Sequence, residues 1–386
     1  MKLFLKSIFN YHHLGVCITT LLLLWLLKTI TFNLDILNPV ADALENFSAS
    51  DIFFEIEHSG SDPEVCDLVT IVDMTELHSR GDIGFMLEEI NMNDPLLVGI
   101  DLIFEGVKDD ETGNELLENS VEGLSNIAIF SQKLVDYDSK QEEFTGSVRS
   151  YFANNFAINE AYTNLNNNMS GACIREMSIK QTCNGQEKLS FPARLAAVFD
   201  ESLYSRENED LMINYRNVKF PVVKWNEIAE NSDLIEGHIV LVGTMTEEQD
   251  MHMTPLGKMP GLELQAYSLL TLLEHRNIST IPLWVTMIFT FILCYILVII
   301  TDAIHKLIDK HPQRVIFTFI KESELSILII LFIAVAAVCW ISFILFIDYN
   351  LLIKIDIILA TLILLFEGQK IYNAIIYTIK KKKETK

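Results

Sequence analysis

The feature that most constrains this chain is the spacing of its apolar runs. Four stretches, Leu14 to Phe32, Leu283 to Ile300, Leu325 to Ile347 and Ile355 to Tyr372, are dominated by apolar side chains. Each approaches the roughly 20 residues that a helix needs to cross ~30 Å of hydrocarbon. One run precedes a long polar segment and three follow it. The expected organisation is an N-terminal flank and first transmembrane helix over 1–33, a domain over 34–282, three transmembrane helices over 283–373 and a basic tail over 374–386.

Charge sets the expected orientation. Lys2 and Lys6 flank the first run, Lys306, Lys310, Arg314 and Lys321 lie between the second and third, and Lys380-Lys381-Lys382-Lys383 follow the fourth. In a four-span layout these groups fall on one side. The bias of Lys and Arg toward the cytoplasm then puts both termini and the 301–324 connection inside, and the large domain outside the inner (plasma) membrane of a bacterial cell. The segment 34–281 holds 15 Lys+Arg and 44 Asp+Glu, a net charge of −29, which excludes nucleic acid and anionic lipid headgroups as its partners. Membrane lipid meets only the spans. Ala41-Asp42-Ala43 resembles a signal-peptidase site, but it lies well beyond a run longer than a signal peptide's, so an uncleaved anchor is favoured.

The six cysteines divide evenly between the spans (Cys17, Cys294, Cys339) and the domain (Cys66, Cys173, Cys183). Cys173 and Cys183 flank a short stretch and can pair as a disulfide if the compartment is oxidising. No pair has zinc-ligand spacing.

Within the domain, Leu68–Val72, Leu96–Ile100, Ile127–Phe130 and Ile239–Val242 are short β-branched runs of the kind buried in parallel sheets. Ile83–Met92, Phe191–Phe199 and Leu262–Leu273 carry helical spacing. Strands alternating with helices predict an α/β domain with a largely parallel sheet. Leu44–Ile56 reads as a helix leading into it, Ile174–Leu189 as a hairpin turning at Asn184-Gly185, Leu211–Tyr215 as a strand and Trp225–Ala229 as a short helix. Lys133–Asn168 gives no clear pattern. Thr244–Lys258 reads as a polar loop leaving the end of a strand, where open α/β sheets place ligands.

These pieces resemble the second type of CHASE domain, an extracellular sensory module associated with cyclases and histidine kinases. The resemblance rests on Val69-Thr70-Ile71-Val72-Asp73, Val98-Gly99-Ile100-Asp101-Leu102-Ile103-Phe104, Phe191-Pro192-Ala193-Arg194-Leu195-Ala196, Ile213-Asn214-Tyr215-Arg216, Val240-Leu241-Val242-Gly243 and the segment from Asp250 to Ala266. The one-before, three-after arrangement of spans also matches. Family members commonly carry a cytoplasmic output domain after the last span. Here only the lysine-rich tail follows, so the expectation is a stand-alone form that acts through a separate protein partner.

Asp73, Asp101 and Asp250 come at or beyond strand ends and can converge. Together with Gly243, Thr254 and Pro255 they form the candidate ligand site, suited to a cation or to the amine of a small solute. The competing reading is that each aspartate caps a helix or bonds loop amides, and that Gly243 permits close packing. Met251-His252-Met253 has soft-metal donors but no second cluster. His12-His13 beside the first run reads as an interfacial pair. No nucleophile motif is present, so no catalytic residue and no cofactor are expected, and the chain reads as a non-enzyme. Ser326, Ser342, Ala334, Ala336 and Ala337 give the third run a small-residue stripe, and homo-oligomers remain open. Asp356 and Glu367 read as interfacial. Two functions follow: a ligand-binding sensor, or a scaffold whose α/β domain binds envelope proteins and no small molecule.

Overall fold

The structure, a computed structural model, describes residues 10–33, 48–108, 110–165, 173–203, 210–310 and 325–384. It contains two compact units, one of residues 1–50 with 279–386 and the other of residues 51–278.

The first unit is helical. Its helices are α1 (Tyr11–Asn33) and, after the second unit in sequence, α7 (Leu283–Asp309), α8 (Leu325–Tyr349) and α9 (Ile355–Glu384). Among the described residues three helices, Tyr11–Ile30, Leu283–Asp309 and Leu325–Tyr349, are long and apolar enough to cross a membrane. The fourth expected run is helical too, within α9, but is not among the three. Asp356, Glu367 and Lys370 interrupt its apolar residues, and Lys370 pairs with Glu367 at 3.0 Å on an exposed face.

All four helices nonetheless share one apolar core, with Val16 and Cys17 meeting Leu297, Val298, Val338, Ile358 and Leu362. Ser326, Ala334 and Ser342 lie on the buried stripe of α8. Thr20, Thr290, Thr301 and Thr361 return their hydroxyls to carbonyls one turn back at 2.7–2.9 Å, which satisfies these four donors inside an apolar interface. His13, beside the first apolar run, is one of the bundle's buried polar residues. Its Nε2 bonds Asp302 Oδ2 of α7 at 2.7 Å.

The second unit is the α/β domain. It begins in α2 (Ala49–Gly60), whose Phe53 and Phe54 are buried; the earlier part of the expected Leu44–Ile56 helix lies outside the described residues. The sheet strands are β1 (Val69–Asp73), β2 (Leu97–Ile100), β3 (Ala128–Asp138), β4 (Glu143–Val148), β5 (Asn159–Tyr162), β7 (Lys180–Cys183), β8 (Gln186–Leu189), β10 (Val222–Lys224) and β11 (Ile239–Gly243). Among the described residues they form a nine-stranded sheet in the order β10-β1-β11-β2-β3-β4-β7-β8, with β5 also on β3. Pairing is parallel from β10 through β3 and β5 and antiparallel for β3–β4 and β7–β8. Outside the sheet, β6 (Glu176–Ser178) pairs antiparallel with β9 (Asp210–Met212).

Both faces of the parallel half are covered. Val72, Val98, Ile100, Phe130, Val240 and Val242 pack with Ile83, Leu87 and Ile90 of α3 (Arg80–Met92) and Leu117 and Val121 of α4 (Glu111–Leu124). The alternate side chains lie against α5 (Phe191–Phe199) and α6 (Gly261–Leu273). Gly99 shows how tight that layer is, because a Cβ there would stand 2.8 Å from Leu241 and Phe191 and 3.0 Å from Leu195.

Several expectations shift in detail. Ile174–Leu189 is not one hairpin: only β7 and β8 make it, with Asn184 (φ 50°) and Gly185 (φ 71°) in the left-handed conformations of a two-residue turn. Leu211–Tyr215 gives only the short β9 outside the sheet, and the helical turn expected at Trp225–Ala229 falls at Ala229–Leu234. Thr244–Lys258 is not simply a loop. A short helical turn, Glu248–Asp250, leads into a hairpin of β12 (Met251–Thr254) and β13 (Gly257–Pro260).

Candidate functional site

Parallel register lines up the strand ends. Asp73 of β1 lies opposite Gly243 of β11, and Asp101, just past β2, donates its amide to Val242 O at 2.9 Å. Asp73, Gly243 and Asp101 thus share one edge, as parallel strands require.

Their side chains do different things. Asp73 Oδ1 accepts from Thr75 N at 2.9 Å and from Thr75 Oγ1 at 2.5 Å, and Thr75 Oγ1 in turn accepts from Met245 N at 3.0 Å. This carboxylate shapes the turns after β1 and β11. Gly243 meets Leu262 of α6, since a Cβ there would lie 3.2 Å from that side chain and 3.5 Å from Asp101 Cβ.

Asp250 reaches the amino end of α6, where a Cβ on Gly261 would stand 2.7 Å from either carboxylate oxygen. A helix amino end favours such a charge. Its Oδ1 also lies 3.3 Å from His252 Nε2. Asp101 feels both neighbours. Burial first, and then the negative charge of Asp250, push its carboxyl up to about 7, with His252 acting the other way. The structure therefore brings Asp101 near Asp250 and His252, while Asp73 Oδ1 is taken up by Thr75.

Thr254 and Pro255 do not join them. Thr254 is buried in the hairpin turn, donating to Gly257 O at 2.9 Å and accepting from Leu256 N at 3.2 Å. Among the described residues no three His, Cys, Asp or Glu side chains stand close enough to share a metal ion. Asp73, Asp101 and Asp250 are accordingly not a cation cage.

A concavity away from the strand ends is not foreshadowed by the sequence. A cleft of about 870 Å³ opens beside the antiparallel extension of the sheet, lined by Tyr137, Phe144, Tyr162, Cys173, Arg175 and Glu176, among others. Tyr137 and Phe144 meet edge to face at 5.1 Å. Arg175 Nε and Nη2 hold both oxygens of Asp51 in α2, at 2.9 and 2.6 Å, and this pairing raises the Arg175 pKa. The backbone of the 174–175 segment is fixed by Ile174 N to Met253 O, Ile213 N to Arg175 O and Tyr215 OH to Ile174 O, each 2.8 Å. Cys173 and Cys183 are free thiols, not joined as a disulfide. Cys183 is buried with Leu134, Tyr162 and Phe144, its Sγ 3.7 Å from Gly146 O. Nothing local in the sequence marks this cleft, because Asp51 and Arg175 are 124 residues apart.

A mostly parallel α/β domain set in sequence between helices apolar enough to cross a membrane defines a multi-pass membrane protein with an inserted domain. The chain belongs to the CHASE2 domain family, which it matches over residues 18–301, from within α1 to within α7. It is a membrane protein with a CHASE2 sensory domain. Neither the curated proteins nor the solved structures provide a match.

Proposed function

We propose that this protein is an extracytoplasmic sensor of the bacterial inner membrane that binds a ligand through its α/β domain and acts through a separate protein partner. The observation that carries the reading is the family match, which begins in one apolar helix, takes in the whole α/β unit and ends in another. The basic flanks support a four-span layout with both termini and the 301–324 connection in the cytoplasm. The shared core of α1, α7, α8 and α9 supports counting α9 as the fourth span. The Asp101–Asp250–His252 group at the strand ends and the cleft beside β3 and β4 supply two places for a ligand in this reading.

A thermal-shift screen of the full chain in lipid nanodiscs, against metabolites and divalent ions, tests the binding claim. A ligand that prefers the native form adds about 2.7 kcal/mol of stability at one hundred times its Kd, a rise of several degrees. Side-specific labelling at both termini and in the 301–324 connection tests orientation, with all three expected inside. Labelling of any of them from outside, or a flat screen together with specific recovery of envelope proteins, overturns the sensor in favour of a scaffold.

A further inference from the structure

Among the described residues, the lining of the cleft includes groups of three kinds. Arg175 is a cation with a rigid backbone, already gripping one carboxylate through two parallel bonds, the geometry in which guanidinium selects carboxylates. Glu176 and Asp210 also line the cleft and are exposed carboxylates. Tyr137 and Phe144 add an aromatic surface, with Tyr137 54% exposed. The volume lies within the range of sites for small molecules. A purely anionic solute would meet the carboxylate of Glu176, and a purely cationic one would leave Arg175 on Asp51 and gain nothing from it. A molecule carrying both charges and an apolar group satisfies all three walls.

We propose, on the basis of the sensory reading above, that this cleft binds a small zwitterion of the α-amino-acid class. Its carboxylate replaces Asp51 on Arg175, its ammonium is held by Glu176, and its apolar side chain rests on Tyr137 and Phe144. The exchange at Arg175 gives the ligand a mechanical consequence. Asp51 sits in the first turn of α2, which the chain reaches from the first membrane helix, so a ligand that takes Arg175 releases the start of that helix. The Arg175 and Asp51 side chains are 19% and 28% exposed, and it is Arg175 that reaches the cleft wall. The bond from Ile174 N to Met253 O also ties this wall of the cleft to the hairpin that follows Asp250.

The test is calorimetric titration of the full chain in nanodiscs with a panel of free amino acids, each beside its decarboxylated amine and its deaminated acid. At least one zwitterion is expected to bind, with both truncated analogues at least tenfold weaker. Glu176→Gln and Tyr137→Ala change exposed side chains and should each weaken binding about tenfold or more while the melting temperature holds. Asp51→Asn should tighten binding several-fold by removing the competitor. Arg175→Gln should abolish it, and the two exposed variants keep the test valid if that protein fails to fold. The proposal falls if no amino acid binds, or if Glu176→Gln and Tyr137→Ala bind the ligand unchanged. A different ligand from the broader screen, indifferent to both exposed variants, removes the cleft from the account and leaves the sensor standing.

Discussion

Strand β3 runs through two different chemical settings. Its first five residues, Ala128 to Gln132, are all buried, with β2 on one side, β5 on the other and packed residues of α3 and α4 above. Of its remaining six, Lys133 to Asp138, all but Asp136 pair with β4, and only Leu134 is fully buried. In the first setting the backbone is shielded from both faces and the strand belongs to one cooperative core. In the second the sheet is covered thinly, and the resulting hollow is the cleft. Stability and accessibility are thus divided along a single strand, with the ligand-sized space placed where little core has to be disturbed.

The sharpest way to break this comparison is to remove a large side chain from each end. Phe130→Ala in the buried half should cost about 3–5 kcal/mol, roughly 2–4 °C of melting temperature per kcal/mol for a unit of this size. Differential scanning fluorimetry of the full chain in nanodiscs would measure it. A loss no larger than that from Phe144→Ala in the extension would mean that the two halves share one core after all.

Next in size is the effect of Asp101, which probes the strand-end edge. Its carboxyl is held near 7 against an ordinary 3.8, so the folded state binds the proton more tightly than the unfolded chain does. The stability this confers is complete below about pH 4 and is lost as pH rises through 7. Asp101→Asn, which imitates the protonated form, should therefore leave stability unchanged at pH 4 and raise it at pH 8, by about 2 kcal/mol once partial exposure is allowed for. Melting curves across that range decide the matter, and parallel curves for the two proteins would show that Asp101 ionises freely.

Smaller effects belong to the extension. Asn184 sits at φ 50° in the β7–β8 turn, and Asn184→Ala should cost about 1 kcal/mol, since left-handed backbone disfavours a Cβ without local hydrogen bonding. Hydrogen exchange should then quicken at Lys180–Leu189 and stay unchanged at Val240–Val242. Smallest is Lys180→Gln. Its pair with Glu187, 61% exposed on the acidic side, is a surface contact worth less than about 1 kcal/mol, and its removal should leave the melting temperature within about 2 °C.

The same division explains how much of the fold could be read from the residues alone. Val69–Val72, Leu97–Ile100 and Ile239–Val242 are legible because a strand buried on both faces has no polar alternation to blur it, and Phe191–Phe199 because Pro192 suits a first helical turn. Glu143–Val148 has no buried residue, so β4 gave no pattern to find. The hairpin after Asp250 was hidden because only Thr254 and Met259 of its eight strand residues are buried. Of the candidate site, the alignment of Asp73, Gly243 and Asp101 follows from parallel pairing. The engagement of Asp73 rests on the amide and hydroxyl of Thr75, and the Asp51–Arg175 grip joins segments that no local signal connects.

That eleven-residue strand also fixes a frame of reference. Side chains on a strand face opposite ways in turn, so β3 cannot slide by one position without exchanging Phe130 for a neighbour and turning Leu134 outward. Past Asp136, which stands out of the β3–β4 register with a φ of 59°, the same strand sets Tyr137 against Phe144, which packs on Leu134. A mutation deep among the parallel strands can spoil recognition at the rim by displacing the ruler on which the rim is measured.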